Sequence, residues 1–130
     1  MLFWKGIIIH QSAYLKTVRT FALALPGVEE GSAYGTPAFR VRGKLLARLL
    51  EDGETLVLRT DFEARDILMQ VNPDVFHITD HYRSYPYVLV NLPVVGPAEL
   101  QELLEQAWRS CAPKKLQDGY RSDDWNREIP

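Results

Sequence analysis

The sequence predicts an α+β domain: a two-layer sandwich in which an antiparallel sheet has helices packed on one face. Residues 36–60 alternate apolar and polar side chains with a period of two, which is the spacing of β-strands. Segments with helical spacing precede and follow the run of strands, an order typical of helices covering one sheet face. A length of 130 residues fits one domain.

Composition indicates the class of protein and the cellular compartment to expect. A hydrophobic content of 46% and a charged content of 25% match an ordinary globular chain. No apolar run approaches the ~20 residues that cross a bilayer, so we expect no membrane partner. Residues 1–11 lack the order of a secretory signal. The single cysteine, Cys111, rules out an internal disulfide framework and a cysteine-based zinc site, so we expect a cytoplasmic protein.

The first helix is predicted to begin after Ser12, a favourable N-cap residue. Pro26-Gly27 ends it. Its apolar face follows the spacing i, i+4, i+7 and i+11 and consists of Tyr14, Val18, Phe21 and Leu25. Residues 1–11 are either an added edge strand or an extension outside the domain.

The first hairpin turn has two possible lengths, a two-residue loop at 42–43 or a three-residue loop at 42–44. Only the longer loop pairs Val41 with Leu45 and keeps the apolar residues on one face. A slip of one residue would move every side chain to the other face. The sequence therefore favours the three-residue loop.

The second turn carries Asp52-Gly53, a strong hairpin signal because both residues tolerate positive φ. It pairs Leu49 with Leu56. The predicted core face is Phe39, Val41, Leu45, Ala47, Leu49, Leu56 and Leu58. The opposite face, predicted to point outward, carries Arg40, Arg48 and Arg59 among Leu46, Leu50 and Val57.

The second half of the chain predicts two more helices and two more strands. Asp61 caps a helix that runs to about Val71, with Phe62, Ile67, Leu68 and Val71 as inward residues. Residues 75–79 and 87–92 are predicted strands. Pro97 opens the last helix, which Pro113 ends. Its apolar stripe is Leu100, Leu103, Leu104, Ala107, Trp108 and Cys111. From Gln117 onward we expect a loosely attached tail.

The best candidate site is a set of cations on the outward face and hairpin tip: Arg40, Arg42, Lys44, Arg48 and Arg59. Residues 36–50 contain four cations before the first acid, and concentrated positive charge is what phosphate-binding surfaces need. The alternative is a solvated sheet face. The neighbouring Leu46, Leu50 and Val57 also fit a protein-interaction patch, because exposed apolar clusters often mark interfaces.

Metal binding and catalysis have little support in the sequence. His77, Asp80 and His81 have mixed facing on a strand and loop, so we expect no metal site. Neither a nucleophile turn nor a phosphate-binding glycine loop is present, so we expect no enzyme activity and no cofactor. Cys111 is expected to be a core thiol. Tyrosines near the loops either pack in the core or line a pocket for a planar ligand: Tyr34, Tyr82, Tyr85 and Tyr87.

The chain resembles the YjbR/MmcQ-like family in several segments that occur in a fixed order. These are Ala24-Leu-Pro-Gly-Val-Glu-Glu30, Tyr34-Gly-Thr-Pro-Ala-Phe-Arg-Val-Arg-Gly-Lys44, His81-Tyr-Arg-Ser-Tyr-Pro86, Val88-Leu-Val-Asn-Leu92 and Ala107-Trp-Arg-Ser-Cys-Ala-Pro113. The resemblance implies a domain over residues 12–116, flanked by an extension at 1–11 and a tail at 117–130. It also implies a CyaY-like (frataxin-like) fold, a DNA-binding label and no agreed catalytic residues.

The resulting functional hypothesis is weak, non-specific binding of duplex DNA through the basic face. The alternative hypothesis is a protein-interaction module that uses the same arginine and leucine face.

Overall fold

The computed structural model describes residues 12–120 and confirms the α+β class, with a six-stranded antiparallel sheet. The strands are β1 (Val28–Ala33), β2 (Thr36–Val41), β3 (Lys44–Leu49), β4 (Thr55–Arg59), β5 (Phe76–His77) and β6 (Tyr87–Asn91). The helices are α1 (Ala13–Leu23), α2 (Phe62–Val71), α3 (Pro97–Cys111) and α4 (Lys114–Gln117), with a 3₁₀ turn at Asp80–Tyr82. The strand order is β1-β2-β3-β4-β6-β5, so β6 lies between β4 and β5.

The main core lies between one face of the sheet, here called the helix face, and helices α1 and α3. One row of paired residues on this face runs across four strands, from Phe39 through Ala47 and Leu58 to Val88. All four are buried with Leu15 and Val18 of α1 and the apolar stripe of α3. Burial of apolar surface is the dominant favourable term in folding, so this contact stabilises the fold.

The N-terminus of α1 is held by the Ser12 side chain, and its inner face packs on the core. The Ser12 hydroxyl accepts a hydrogen bond from the Leu15 amide at 3.0 Å, as a helix N-cap does, and it donates to the Gly53 carbonyl at 3.3 Å. The predicted face is confirmed at Val18 and Leu25, but Leu15 and Ala22 complete the buried stripe. Tyr14 and Phe21 are half-buried against the same core.

The prediction of a three-residue first turn is wrong. Arg42 and Gly43 form a two-residue turn with φ values of 52° and 81°, and Val41 pairs with Lys44. A two-residue turn with positive φ at both positions matches the right-handed twist of the flanking strands, which favours it over the longer loop. The register then changes farther along β3.

A β-bulge at Leu46 produces this change and exchanges the roles of two leucines. Arg40 pairs with Leu45, whereas Phe39 pairs with Ala47, so Leu46 is the extra residue in β3. Leu45 therefore lies on the Arg40 face and is half-exposed. Leu46 is fully buried in the main core, so the prediction of Leu45 inside and Leu46 outside is wrong.

The remaining predicted core residues of these strands are confirmed. The second turn pairs Leu49 with Leu56, and both are fully buried. The Asp52 carboxylate holds the turn by accepting hydrogen bonds from the backbone amides of Glu54 and Thr55 at 2.8 and 2.9 Å. Short polar side chains commonly close turns in this way.

Helix α2 has the predicted bounds but a different inward face. Asp61 caps it by accepting from the Ala64 amide at 2.7 Å. Leu68 packs against the core, but Phe62, Ile67 and Val71 are 47%, 54% and 78% exposed. Their predicted burial is wrong, because the side of α2 that faces the protein is centred on Arg65, the one buried residue of this helix.

The C-terminal part follows the prediction closely. Helix α3 begins with Pro97 at its first turn, and its predicted apolar stripe is buried. The predicted strand at 75–79 is short, because only Phe76 and His77 pair with β6 before the 3₁₀ turn begins. Past α4, the Tyr120 ring packs against Trp108 with centroids 4.8 Å apart.

The domain boundaries predicted at residues 11 and 116 stay predictions. The N-terminal extension and most of the predicted tail, residues 1–11 and 121–130, lie outside the described residues. Among helices of residues 12–120, none has the length and apolar character to cross a bilayer.

Candidate nucleic-acid interface

The five predicted cations separate into two groups with different surroundings. Arg48 belongs to the first group and is only 7% exposed. Its guanidinium donates to the Thr36 hydroxyl at 2.9 Å and to the Tyr82 hydroxyl at 3.1 Å. Burying a charged group is costly unless hydrogen bonds compensate, and these contacts do so. Arg48 is a structural residue of the sheet, and its predicted outward exposure is wrong.

Arg59 is held in the same way on the next strand. Its Nε donates to the Leu45 carbonyl at 2.7 Å and its Nη2 to the Tyr87 hydroxyl at 3.1 Å. The guanidinium also lies 5.3 Å from the centre of the Tyr87 ring. Two of its five N–H donors, and one face of the guanidinium, are therefore directed into the protein.

Arg65 completes this structural group and was missed at the sequence level. From α2, its Nη1 donates to the carbonyls of Tyr82, Tyr85 and Tyr87, and its Nη2 donates to that of Arg83. One side chain thus contacts four backbone acceptors, three in the segment between β5 and β6 and one at the first residue of β6. The sequence does not predict this role, because Arg65 is a lone arginine in an otherwise amphipathic helix. Only the fold brings the segment between β5 and β6 close to it.

The apolar patch predicted for a protein partner is not an exposed patch. Leu46 and Val57 are fully buried, and Leu50 is half-buried. Leu46 faces the helices because of the bulge. The predicted exposure is wrong for Leu46 and Val57, so the apolar patch behind the protein-interaction hypothesis is reduced to the half-buried Leu50.

The second group of cations lies at the β2–β3 turn. Arg42 and Lys44 are exposed, and neither forms an ion pair within residues 12–120. Arg40 is half-exposed, and its Nη1 donates to the Ser32 carbonyl at 3.3 Å. Its cross-strand neighbour in β1 is the acidic residue Glu29. Two of the five predicted cations are thus free at the tip, and a third, Arg40, lies next along β2 with its guanidinium directed back toward Ser32.

Helix α4 adds two lysines to this end of the protein. Leu116 of α4 lies against Gly27, where an added Cβ would come within 2.6 Å of its methyl group and 3.5 Å of a Val41 methyl. Val41 is the strand partner of Lys44, so α4 sits beside the turn end of the hairpin. Lys114 and Lys115 are exposed there. We call the set Arg40, Arg42, Lys44, Lys114 and Lys115 the basic end.

The Cys111 thiol is affected by one cation of each group. Burial raises the pKa of the Cys111 thiol, and the positive charges of Arg59 and Lys44 partly oppose that rise. The thiol is buried and donates to the Ala107 carbonyl at 3.3 Å, which agrees with a core role.

Tyr34 is the most exposed large apolar side chain of the described chain, at 86%. It occupies the β1–β2 turn with φ of 54°, and the Arg48 guanidinium lies 5.1 Å from its ring centre. Of the predicted tyrosine pocket, Tyr82 and Tyr87 serve as hydrogen-bond partners of the arginines.

Within residues 12–120, no cluster of three or more His, Cys, Asp or Glu side chains is arranged to hold a metal ion.

Comparison with known proteins gives a family and a fold. The YjbR family model matches residues 23–110. Uncharacterized proteins of Mycobacterium bovis and Mycobacterium tuberculosis are 41% identical over 49 residues, a stretch that covers 38% of this chain and 38% of each relative. A crystal structure of a Deinococcus radiodurans protein with a DUF419 domain superposes with a TM-score of 0.64 at 21% identity, covering 87% of this chain and 86% of that one. That structural likeness supports the α+β fold.

Proposed function

The chain belongs to the YjbR family, and we propose that it is a non-enzymatic, cytoplasmic protein that binds nucleic acid weakly and without sequence preference. The binding surface is the basic end rather than the whole sheet face. The observation that carries the proposal is the pair of exposed, unpaired cations, Arg42 and Lys44, at the tip of a hairpin in the described chain. A projecting hairpin tip can approach a phosphate backbone without rearrangement of the domain.

Charge supports weak binding rather than tight binding. The chain has a formal net charge of −2, so the basic end is a local feature on an acidic protein. With about three cations in contact with phosphates, log K should fall against log salt with a slope near −2.7, at ~0.9 per contact. Non-specific dissociation constants on the order of 10⁻⁴ to 10⁻⁶ M at physiological salt are typical of such surfaces.

The test is fluorescence anisotropy with a labelled duplex across a salt series. Arg42→Gln/Lys44→Gln should reduce the slope by about 1.8 and weaken binding to all sequences alike, because two phosphate contacts are lost. A control that removes the same charge elsewhere is Lys16→Gln/Arg19→Gln on α1, which should leave the slope unchanged. Arg19 pairs with Glu30 at the surface, so its loss should cost little stability. Absence of wild-type binding at low salt, or equal slopes for both variants, would refute the proposal.

A further inference from the structure

We propose, resting on the function proposed above, that the preferred ligand is single-stranded nucleic acid, with one base stacked on Tyr34. The phosphates beside that base would lie along Arg40 and the β2–β3 turn. Tyr34 and Arg48 form the stacking end of one site along β2, the β2–β3 turn forms its charged end, and Arg40 lies between them.

The backbone at Tyr34 is the first observation. A bulky residue with φ of 54° is strained, and the left-handed region is normally occupied by glycine, asparagine or aspartate. Such strain is usually offset by packing, yet the Tyr34 side chain is 86% exposed. Residues held in strained backbone conformations cluster at functional sites.

The two turns that flank β2 share this feature. Tyr34-Gly35 and Arg42-Gly43 both have two positive φ values, and both place a large side chain where a type I′ turn favours asparagine or glycine. One turn presents an aromatic ring and the other a guanidinium. These are the two chemical groups that sequence-tolerant single-strand binders combine, for bases and for phosphates respectively.

Contacts around Tyr34 orient its ring for stacking. Arg48 lies on one side of the ring at 5.1 Å and is itself fixed by Thr36 and Tyr82. A cation held against one face leaves the other face of an exposed ring open to a base. Arg40 reaches back along the sheet, and its Nη1 donates to the Ser32 carbonyl two residues before Tyr34. A cation therefore lies near the place where the sugar-phosphate of a stacked base would be.

Distance along β2 accommodates several nucleotides. At about 3.3 Å per residue, Arg42 lies up to ~26 Å from Tyr34 along the strand. A duplex buries its base faces in the stack, so it can reach the cations but cannot stack on Tyr34. A single strand can use both ends of the site, which gives the predicted preference.

The experiment compares labelled single-stranded and duplex oligonucleotides of equal length with wild type, Tyr34→Asn and Tyr34→Phe. Asparagine tolerates the left-handed turn, so Tyr34→Asn should melt at the same or a higher temperature than wild type. It should bind the single strand about tenfold more weakly, as loss of one base stack predicts, and bind the duplex as wild type does. Tyr34→Phe keeps the ring and should bind as wild type does.

A second test changes the oligonucleotide instead of the protein, so its result does not depend on whether a variant folds. A single strand with abasic sites should bind wild type about tenfold more weakly than the intact strand. If Tyr34→Asn or the abasic strand binds as tightly as its reference, the stacking inference is overturned. The function proposed above still stands in that case, provided that Arg42→Gln/Lys44→Gln reduces the salt slope. If wild type binds neither oligonucleotide, both proposals fall.

Discussion

Arg48 and Arg42 are six residues apart in the chain but lie in opposite environments. Arg48 is 7% exposed and bonded to two hydroxyl groups, whereas Arg42 stands exposed at a turn without an ion pair in the described chain. Buried guanidinium groups must satisfy their donors inside the protein, so Arg48 is committed to the fold. An exposed guanidinium can contact a phosphate without losing a structural bond. Counting the cations on a strand therefore overestimates how many of them can bind an anion.

Leu46, the bulge residue, lies between these two arginines in β3, and shortening its side chain should have the largest effect. Leu46→Ala should lower the free energy of unfolding by about 2–5 kcal/mol, because a fully buried leucine is replaced by a cavity. Leu45→Ala is the matched control and should cost clearly less, because Leu45 is half-exposed. Chemical denaturation of both variants measures the difference. A larger loss for Leu45→Ala would show that β3 has no bulge at this position.

A smaller loss is expected at Arg65, which anchors the segment that carries Tyr82 and Tyr87. Arg65→Met should lower the free energy of unfolding by about 2–3 kcal/mol, since hydrogen bonds from a charged group to four carbonyls are lost. Amide hydrogen exchange should rise in residues 80–87, because the anchored backbone opens more often. Unchanged exchange in this segment would mean that Arg65 does not anchor it.

The sequence predicted the helix face of the sheet better than the opposite face. Val41, Ala47 and Leu58 were placed correctly because period-two alternation holds wherever the strands pair regularly. The exchange of Leu45 and Leu46 could not be predicted, because a bulge has no signal in a leucine-rich strand. α2 was misjudged for a related reason: its inward side is centred on a charged residue.

The candidate site was predictable only in part. Arg42 and Lys44 were identified from local charge density, and the structure leaves both exposed. The structural role of Arg48 depends on Tyr82, 34 residues away, and that of Arg59 on Tyr87, 28 residues away. Lys114 and Lys115 join the basic end only because Leu116 packs beside Gly27. Adjacent lysines after Pro113 were the available signal for them.

The most direct test measures duplex affinity against salt for Arg48→Met and Arg42→Gln, with the stability of each variant. Arg48→Met should lower the free energy of unfolding by about 1.5–3 kcal/mol and leave the salt slope unchanged, because its guanidinium is bonded within the fold. Arg42→Gln should leave stability unchanged and reduce the slope by about 0.9, the value of one phosphate contact. A folded Arg48→Met with a slope reduced by about 0.9, beside an unchanged Arg42→Gln, would contradict the division between structural and binding cations.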